Sequence, residues 1–150
     1  MLFLLFSVGP ARYALPVEHV VEVVPLVEFQ PIPQAPSAVA GLMNYRGRPV
    51  PVIDLRRQFL GEPCESHMST RIVIVEFEAS RGLRVGLIAE KATDSERYDE
   101  NEFVEQAISL PTALQLGPLR VSDNGMLQRI RLERLLTPEM HELFGQVEAA

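Results

Sequence analysis

Three histidines, one cysteine and twenty acids are the side chains of this 150-residue sequence best suited to covalent or metal chemistry. Their spacing argues against such chemistry. His19, His67 and His141 stand far apart, and none has a second histidine or a cysteine at metal-ligand spacing. Each reads as a surface or structural residue. Cys64 lies between Glu62 and Glu65, and neighbouring carboxylates raise a thiol pKa and suppress the nucleophilic thiolate. The nine glycines are scattered and form no phosphate-cradling loop. Acid pairs such as Asp99-Glu100 fall in a polar run and read as a solvated face. No acid, base and nucleophile set can be assembled, so the expectation is a chain that is not an enzyme and takes no metal or cofactor.

Two other charges stand out. Glu22 is flanked by Val20, Val21, Val23 and Val24, and Arg46 follows Leu42, Met43 and Tyr45. An unpaired charge among apolar neighbours is costly if it is buried. One reading joins the Glu22 carboxylate to the Arg46 guanidinium through two hydrogen bonds. The other leaves both side chains in solvent. An exposed pair adds only about 0.2–1 kcal/mol, so its value would lie in shaping a binding surface.

The elements that position these charges follow from the pattern around them. Residues 40–55, AGLMNYRGRPVPVIDL, read as strand, tight turn, strand, with Arg46-Gly47-Arg48 at the tip. Gly47 takes a positive φ at low cost, which lets the arms fold back on each other. Pro49 and Pro51 cannot donate to a ladder, so the second arm should lie at a sheet edge or enter pairing only after Pro51. Val39, Leu42 and Val52 are apolar candidates for core or interface.

Strand signals dominate elsewhere. Leu2 to Val8 is apolar but lacks a basic flank and a cleavage motif, and it is far short of a membrane span. It reads as a first strand rather than a leader. Gly9-Pro10 turns the chain, and Tyr13 to Leu15 resumes the pattern. Residues 16–24 predict one helical turn running into a strand, because valine is a poor helix former. QPIPQAP at 30–36 predicts a stiff, extended connector. Asp54 can cap a short helix ending at Gly61. Residues 62–69 read as a polar loop, and Arg71 to Glu78 and Leu83 to Ala89 as a hairpin turning at 79–82. Residues 90–105 hold seven acids against two bases and read as a solvated strand edge or loop. Asp123-Asn124-Gly125 turns a third hairpin. Thr137-Pro138-Glu139 opens a last helix that Gly145 can close. The fold expected is mainly β, as two small barrels of about 70 residues each that pack on one another, with short helices at joints and at the end. A weak echo between the two sequence halves agrees with this, without amounting to a repeat.

Composition narrows the function. The net charge is −6, and all of it falls in residues 76–150, where fourteen acids face eight bases. Nucleic acid and anionic membrane surfaces both call for the opposite sign. A single cysteine permits no internal disulfide and suits a reducing, cytoplasmic location.

The run from Arg12 to Gly61 resembles the CheW family of chemotaxis coupling proteins. RYALPVEHVVEVV, a proline-rich link and APSAVAGLMNYRGRPVPVIDLRRQFLG carry the likeness, with Glu22, Gly41, Asn44, Arg46, Gly47, Pro51, Asp54 and Leu55 on the family pattern. RIVIVEF, VGLIAEKA and a hairpin leading to a short leucine-rich helix match more loosely and extend it over the chain. The resemblance implies two SH3-like five-stranded barrels in a single domain, residues 1–150. It implies a non-enzymatic adaptor linking a CheA-type histidine kinase, through its regulatory domain, to the cytoplasmic tips of methyl-accepting chemoreceptors. A receptor tip would dock in a groove between the barrels. Coupling is associated with the acid and arginine matching Glu22 and Arg46. The partner-binding set expected is Glu22, Arg46, Gly47, Asn44, Leu42 and Val39.

The sequence departs from the pattern at Tyr45 (usually leucine), at Ala89-Glu90-Lys91-Ala92 and at Arg131. These departures bear on which receptor and kinase are served, and on whether the output is flagellar taxis or a specialised surface-behaviour or second-messenger array. Two rival readings stay open: a module of a larger kinase or scaffold, against which Met1 and the capped last helix speak, and a small acidic β-barrel binding nucleic acid or a small molecule.

Overall fold

In the computed structural model, residues 1–65, 69–78, 82–105 and 116–149 are described. The chain begins with β1 (Leu2–Val8) and β2 (Ala11–Pro16), makes a 3-10 turn at Val17–His19, and enters β3 (Val20–Pro25). β4 (Val39–Tyr45) and β5 (Arg48–Asp54) form the Arg46-Gly47 hairpin, followed by α1 (Leu55–Leu60). β6 (Arg71–Phe77), β7 (Leu83–Arg97), β8 (Leu119–Ser122) and β9 (Gly125–Arg129) follow, and α2 (Pro138–Ala149) ends the chain.

These nine strands make two five-stranded barrels that share β7. Barrel I runs β3-β6-β7-β5-β4, using residues 83–89 of β7. Barrel II runs β7-β1-β2-β9-β8, using residues 90–97. Between the two uses the register against β1 shifts and Lys91 takes a φ of +51°, so one strand turns from one barrel into the next. Each barrel closes through one two-way backbone bridge. Gln30 and Leu42 exchange hydrogen bonds of 2.8 and 2.9 Å in barrel I, and Val104 and Leu119 exchange bonds of 2.8 and 3.0 Å in barrel II. Gly41 permits the first closure: its φ is +146°, and a Cβ there would lie 2.5 Å from the Gln30 carbonyl oxygen.

The barrels do not correspond to sequence halves. Barrel II joins β1 and β2 from one end of the chain to β8 and β9 from the other. The pairing senses match strand for strand: antiparallel, antiparallel, parallel, antiparallel in each. Barrel II is therefore barrel I opened at a different point, which explains the faintness of the echo along the sequence.

Hydrophobic burial follows from this arrangement. Met43, Val52, Ile72 and Ile74 fill barrel I, and Phe3, Leu5, Ala14 and Leu127 fill barrel II. The largest apolar layer lies between them, where Leu4, Phe6, Leu15, Val73, Val75 and Leu87 meet Leu135, Met140 and Phe144. β1 and β6 are buried on both faces, inside a barrel and against the other one, so both read as unbroken apolar runs.

Several local expectations change. The prolines of β5 do not exclude it from pairing with β4, which runs from Arg48 onward. In a hairpin closed by a two-residue turn, Pro49 and Pro51 occupy positions whose N–H would point away from β4. On that other side, pairing with β7 begins at Val52. The connector at 30–36 is not straight: the chain reverses at Pro33-Gln34, where Gln34 has a φ of +63°. The acidic run at 90–105 is the expected solvated strand edge as far as Arg97, paired with β1 alone, and then a 3-10 turn at Glu100–Glu102. α2 is not closed by Gly145 but continues to Ala149. Gly145 follows the fully buried Phe144 on an open helix surface, and among the described residues no proline or left-handed residue follows it. The opening of α2 is as expected, with the Met140 amide donating to Thr137 Oγ1 at 3.2 Å. So are the ends of α1: Asp54 Oδ1 accepts from the Arg56 and Arg57 amides, and Gly61 terminates the helix. His67 and most of the 79–82 turn lie outside the described residues.

Candidate partner-binding surface

The β4–β5 hairpin ends in a two-residue turn with both residues left-handed, Arg46 at φ +51° and Gly47 at +82°. This primed turn matches the twist of paired strands, and Gly47 adopts it freely. Asn44 Oδ1 accepts the Gly47 amide at 2.8 Å and fixes the turn from inside. The turn aims Arg46 across the barrel I closure at β3. There its Nη2 donates to Glu22 Oε1 at 2.9 Å.

The pair forms, but through one hydrogen bond from the guanidinium rather than two. The second donor to Glu22 Oε1 is the Tyr45 hydroxyl, at 2.6 Å. The Arg46 guanidinium also lies 5.4 Å from the Tyr45 ring centroid, within cation–π range. Tyr45 is buried in the inner core of barrel I, and its phenol pKa is raised, first by the bond to Glu22 and then by burial, so it stays a donor. Arg46 is 76% exposed and Glu22 38%, so the pair is a surface feature. Val21 and Val23 flank Glu22 on β3 and are exposed, and Val23, opposite Val73, lies on the other face of the strand from Glu22, opposite Ile74. The sequence had marked Tyr45 only as a departure, and an aromatic next to the arginine was the available sign.

The remaining residues of the expected set divide. Leu42 is half-buried and shares a shallow concavity of about 430 Å³ with Asn44, Gly47 and Arg48. Val39 is at the far end of β4, roughly 20 Å along the strand from the tip. It packs against the layer between the barrels. Val52 is fully buried. The structure therefore joins Glu22 to Arg46 and Asn44 to Gly47 at one turn, places Leu42 in the concavity beside that turn, and sets Val39 apart.

The closure of barrel II carries a cluster of similar composition. The Tyr98 hydroxyl donates to Glu96, the Arg120 guanidinium lies 4.6 Å from the Tyr98 ring centroid, and Arg120 Nε meets Glu102 Oε1 at 3.2 Å. Sequence reasoning passed over it as part of an acidic run. A larger cavity of about 620 Å³ opens where α1 meets the segment before α2, walled by Tyr13, Phe59, Leu60, Leu116, Leu136 and Pro138.

Little points to covalent chemistry. Among the described residues no group of three His, Cys, Asp or Glu side chains could hold a metal ion. Cys64 is half-buried, and its thiol is pushed up to about 12, by burial first and then by Asp54 and Glu90. The direction is as expected, but Asp54 rather than Glu62 is the leading carboxylate. Among the described residues no helix is long and apolar enough to cross a membrane.

Comparison with known proteins agrees with this geometry. A family model for the CheW-like domain matches residues 2–139. The chemotaxis protein CheW of Helicobacter pylori is 25% identical over 136 residues, spanning 89% of this chain and 80% of that protein. Its counterpart in Klebsiella aerogenes is 28% identical over 149 residues, spanning 97% and 87%. The crystal structure of the scaffolding protein TtCheW from Thermoanaerobacter tengcongensis matches with a TM-score of 0.78 at 30% identity, covering 91% of this chain and 87% of that one. In its paired SH3-like barrels and along nearly its whole length, the chain belongs to the CheW-like domain family of chemotaxis scaffolds.

Proposed function

We propose that residues 1–150 act as one non-enzymatic adaptor domain coupling a CheA-type histidine kinase to the cytoplasmic tips of chemoreceptors. The protein works in the cytoplasm and is recruited to receptor arrays at the membrane. The observation that carries this reading is the exposed Arg46–Glu22 pair, held at the tip of a tightly turned hairpin next to the shallow concavity that Leu42, Met43 and Pro49 help to line. A polar anchor next to apolar surface is the usual make-up of a protein-binding patch. Glu22, Leu42, Asn44, Arg46 and Gly47 form one contact in this reading. The kinase regulatory domain shares the fold, so barrel meets barrel in a pseudo-symmetric way. The receptor tip is a helical hairpin that lays its apolar stripe in the cavity between α1 and the segment before α2. Val39, packed against the layer between the barrels, is assigned to that second contact.

The acidic balance of the chain opposes the nucleic-acid alternative. The test is Arg46→Glu, which reverses the exposed charge without touching the core. Circular dichroism should show an unchanged fold, and pull-downs with the kinase or receptor tip should weaken at least tenfold, the size of loss expected for a like-charge clash at an interface of roughly 1,200–2,000 Å². A folded mutant that binds both as well as wild type counts against the assignment.

A further inference from the structure

The Glu22–Arg46 pair contains a third member that its partner-binding role does not require. Tyr45 donates its hydroxyl to the same Glu22 oxygen that accepts from Arg46, at 2.6 Å against 2.9 Å. Its ring lies against the guanidinium at 5.4 Å. A leucine here, which the family resemblance leads one to expect, would fill the barrel but supply neither the donor nor the π face.

We propose that Tyr45 is a positioning and specificity-determining residue: its hydroxyl holds the Glu22 carboxylate and its ring holds Arg46, so that the guanidinium is the group offered to a partner, and the matching group on that partner is a carboxylate. This rests on the adaptor reading above. Three facts lead to it. Glu22 Oε1 already accepts two hydrogen bonds, so the acid is the more satisfied member of the pair. Arg46 uses Nη2 toward Glu22 and is 76% exposed, while a guanidinium has five N–H donors in a fork that fits a carboxylate. Arg46 is also held in a left-handed conformation by the turn, so both its backbone and its head group are set before any partner arrives. Pre-organisation of this kind lowers the ordering cost of binding and acts chiefly on the dissociation rate.

The ring is part of the barrel I core, so Tyr45→Phe removes the hydroxyl and leaves the packing. Tyr45→Leu removes the ring as well. The experiment measures binding of the kinase regulatory domain to wild type, Tyr45→Phe, Tyr45→Leu, Glu22→Ala and the double variant Tyr45→Phe/Glu22→Ala. Tyr45→Phe should weaken binding about three- to tenfold, mostly through faster dissociation, as loss of one hydrogen bond implies. Tyr45→Leu should weaken it further, and the Tyr45→Phe effect should vanish in the Glu22→Ala background, where no acceptor remains for the hydroxyl. Wild-type affinity for Tyr45→Phe, or an equal loss with and without Glu22, overturns the proposal. Should wild type fail to bind the kinase domain at all, the adaptor reading is what fails. ¹⁵N relaxation of the Arg46 side chain in the free protein then decides the role of Tyr45. An arginine ordered in wild type and mobile in Tyr45→Phe upholds it, and equal mobility overturns it.

Discussion

Arg46 and Cys64 show how differently one fold treats two reactive-looking side chains. Arg46 is a non-glycine residue at φ +51°, a conformation that costs energy, and it is left largely exposed. Cys64 is drawn inward. Its amide donates to Asp54 Oδ2 at 2.8 Å, and burial with nearby Asp54 and Glu90 pushes its thiol up to about 12. At pH 8 the thiolate fraction should fall on the order of a thousandfold below that of a free cysteine. Iodoacetamide should therefore label the folded protein far more slowly than the urea-unfolded chain. The same shift links stability to pH. The folded thiol holds its proton longer than the unfolded one, so its contribution is complete below about pH 8.5 and is lost as pH rises toward 12. The urea midpoint should decline across that window, and Cys64→Ala should flatten the decline.

At the scale of elements, much was legible from local chemistry, and the exceptions have causes. Arg46-Gly47 announced a turn, Asp54 and Gly61 bounded α1, and Thr137-Pro138 opened α2, because in each case the signal and the structure use the same few atoms. β7 was read as ending near Ala89, since nothing local marks a strand that serves two barrels. Gly145 was read as a stop, yet Met140 and Phe144 dock α2 in the core and the helix runs on past it. The prolines of β5 looked like an edge signal. Their alternation instead left one side free to pair with β4. Gly41 is an exacting element-level position, because a side chain there strikes the Gln30 carbonyl that closes barrel I. Gly41→Ala should cost at least about 1–3 kcal/mol in urea unfolding. Hydrogen exchange should quicken at the Gln30 and Leu42 amides before it does in barrel II.

At the scale of the whole molecule, the two chain ends meet in barrel II, and that interleaving could not be read from the sequence. β1 pairs with β7 and β2 with β9 across most of the chain length, and no local signal encodes such a partner. The candidate site was legible in part: Glu22 meets Arg46, one of the two readings the sequence leaves open, and Asn44 holds the Gly47 amide, while Tyr45 emerged only with the fold. The barrels are also tied polar to polar. Glu90, at the pivot of β7, accepts from the Gly9 amide of barrel II at 3.1 Å and from Arg56 of α1 at 3.1 Å. Glu90→Gln should weaken that three-way junction and lower the thermal midpoint by several degrees, in one cooperative transition, because neither barrel's strands and core are independent of the other. Two separate transitions would show the barrels to be independent.

An adaptor must hold two proteins at once through separate faces. Sedimentation velocity of the chain mixed with the kinase regulatory domain and a receptor-tip fragment measures that directly. The account predicts one species containing all three, lost for the kinase, the receptor or both when Arg46 is changed to glutamate. Competition of the two partners for a single face, with no ternary species at any concentration, would contradict it.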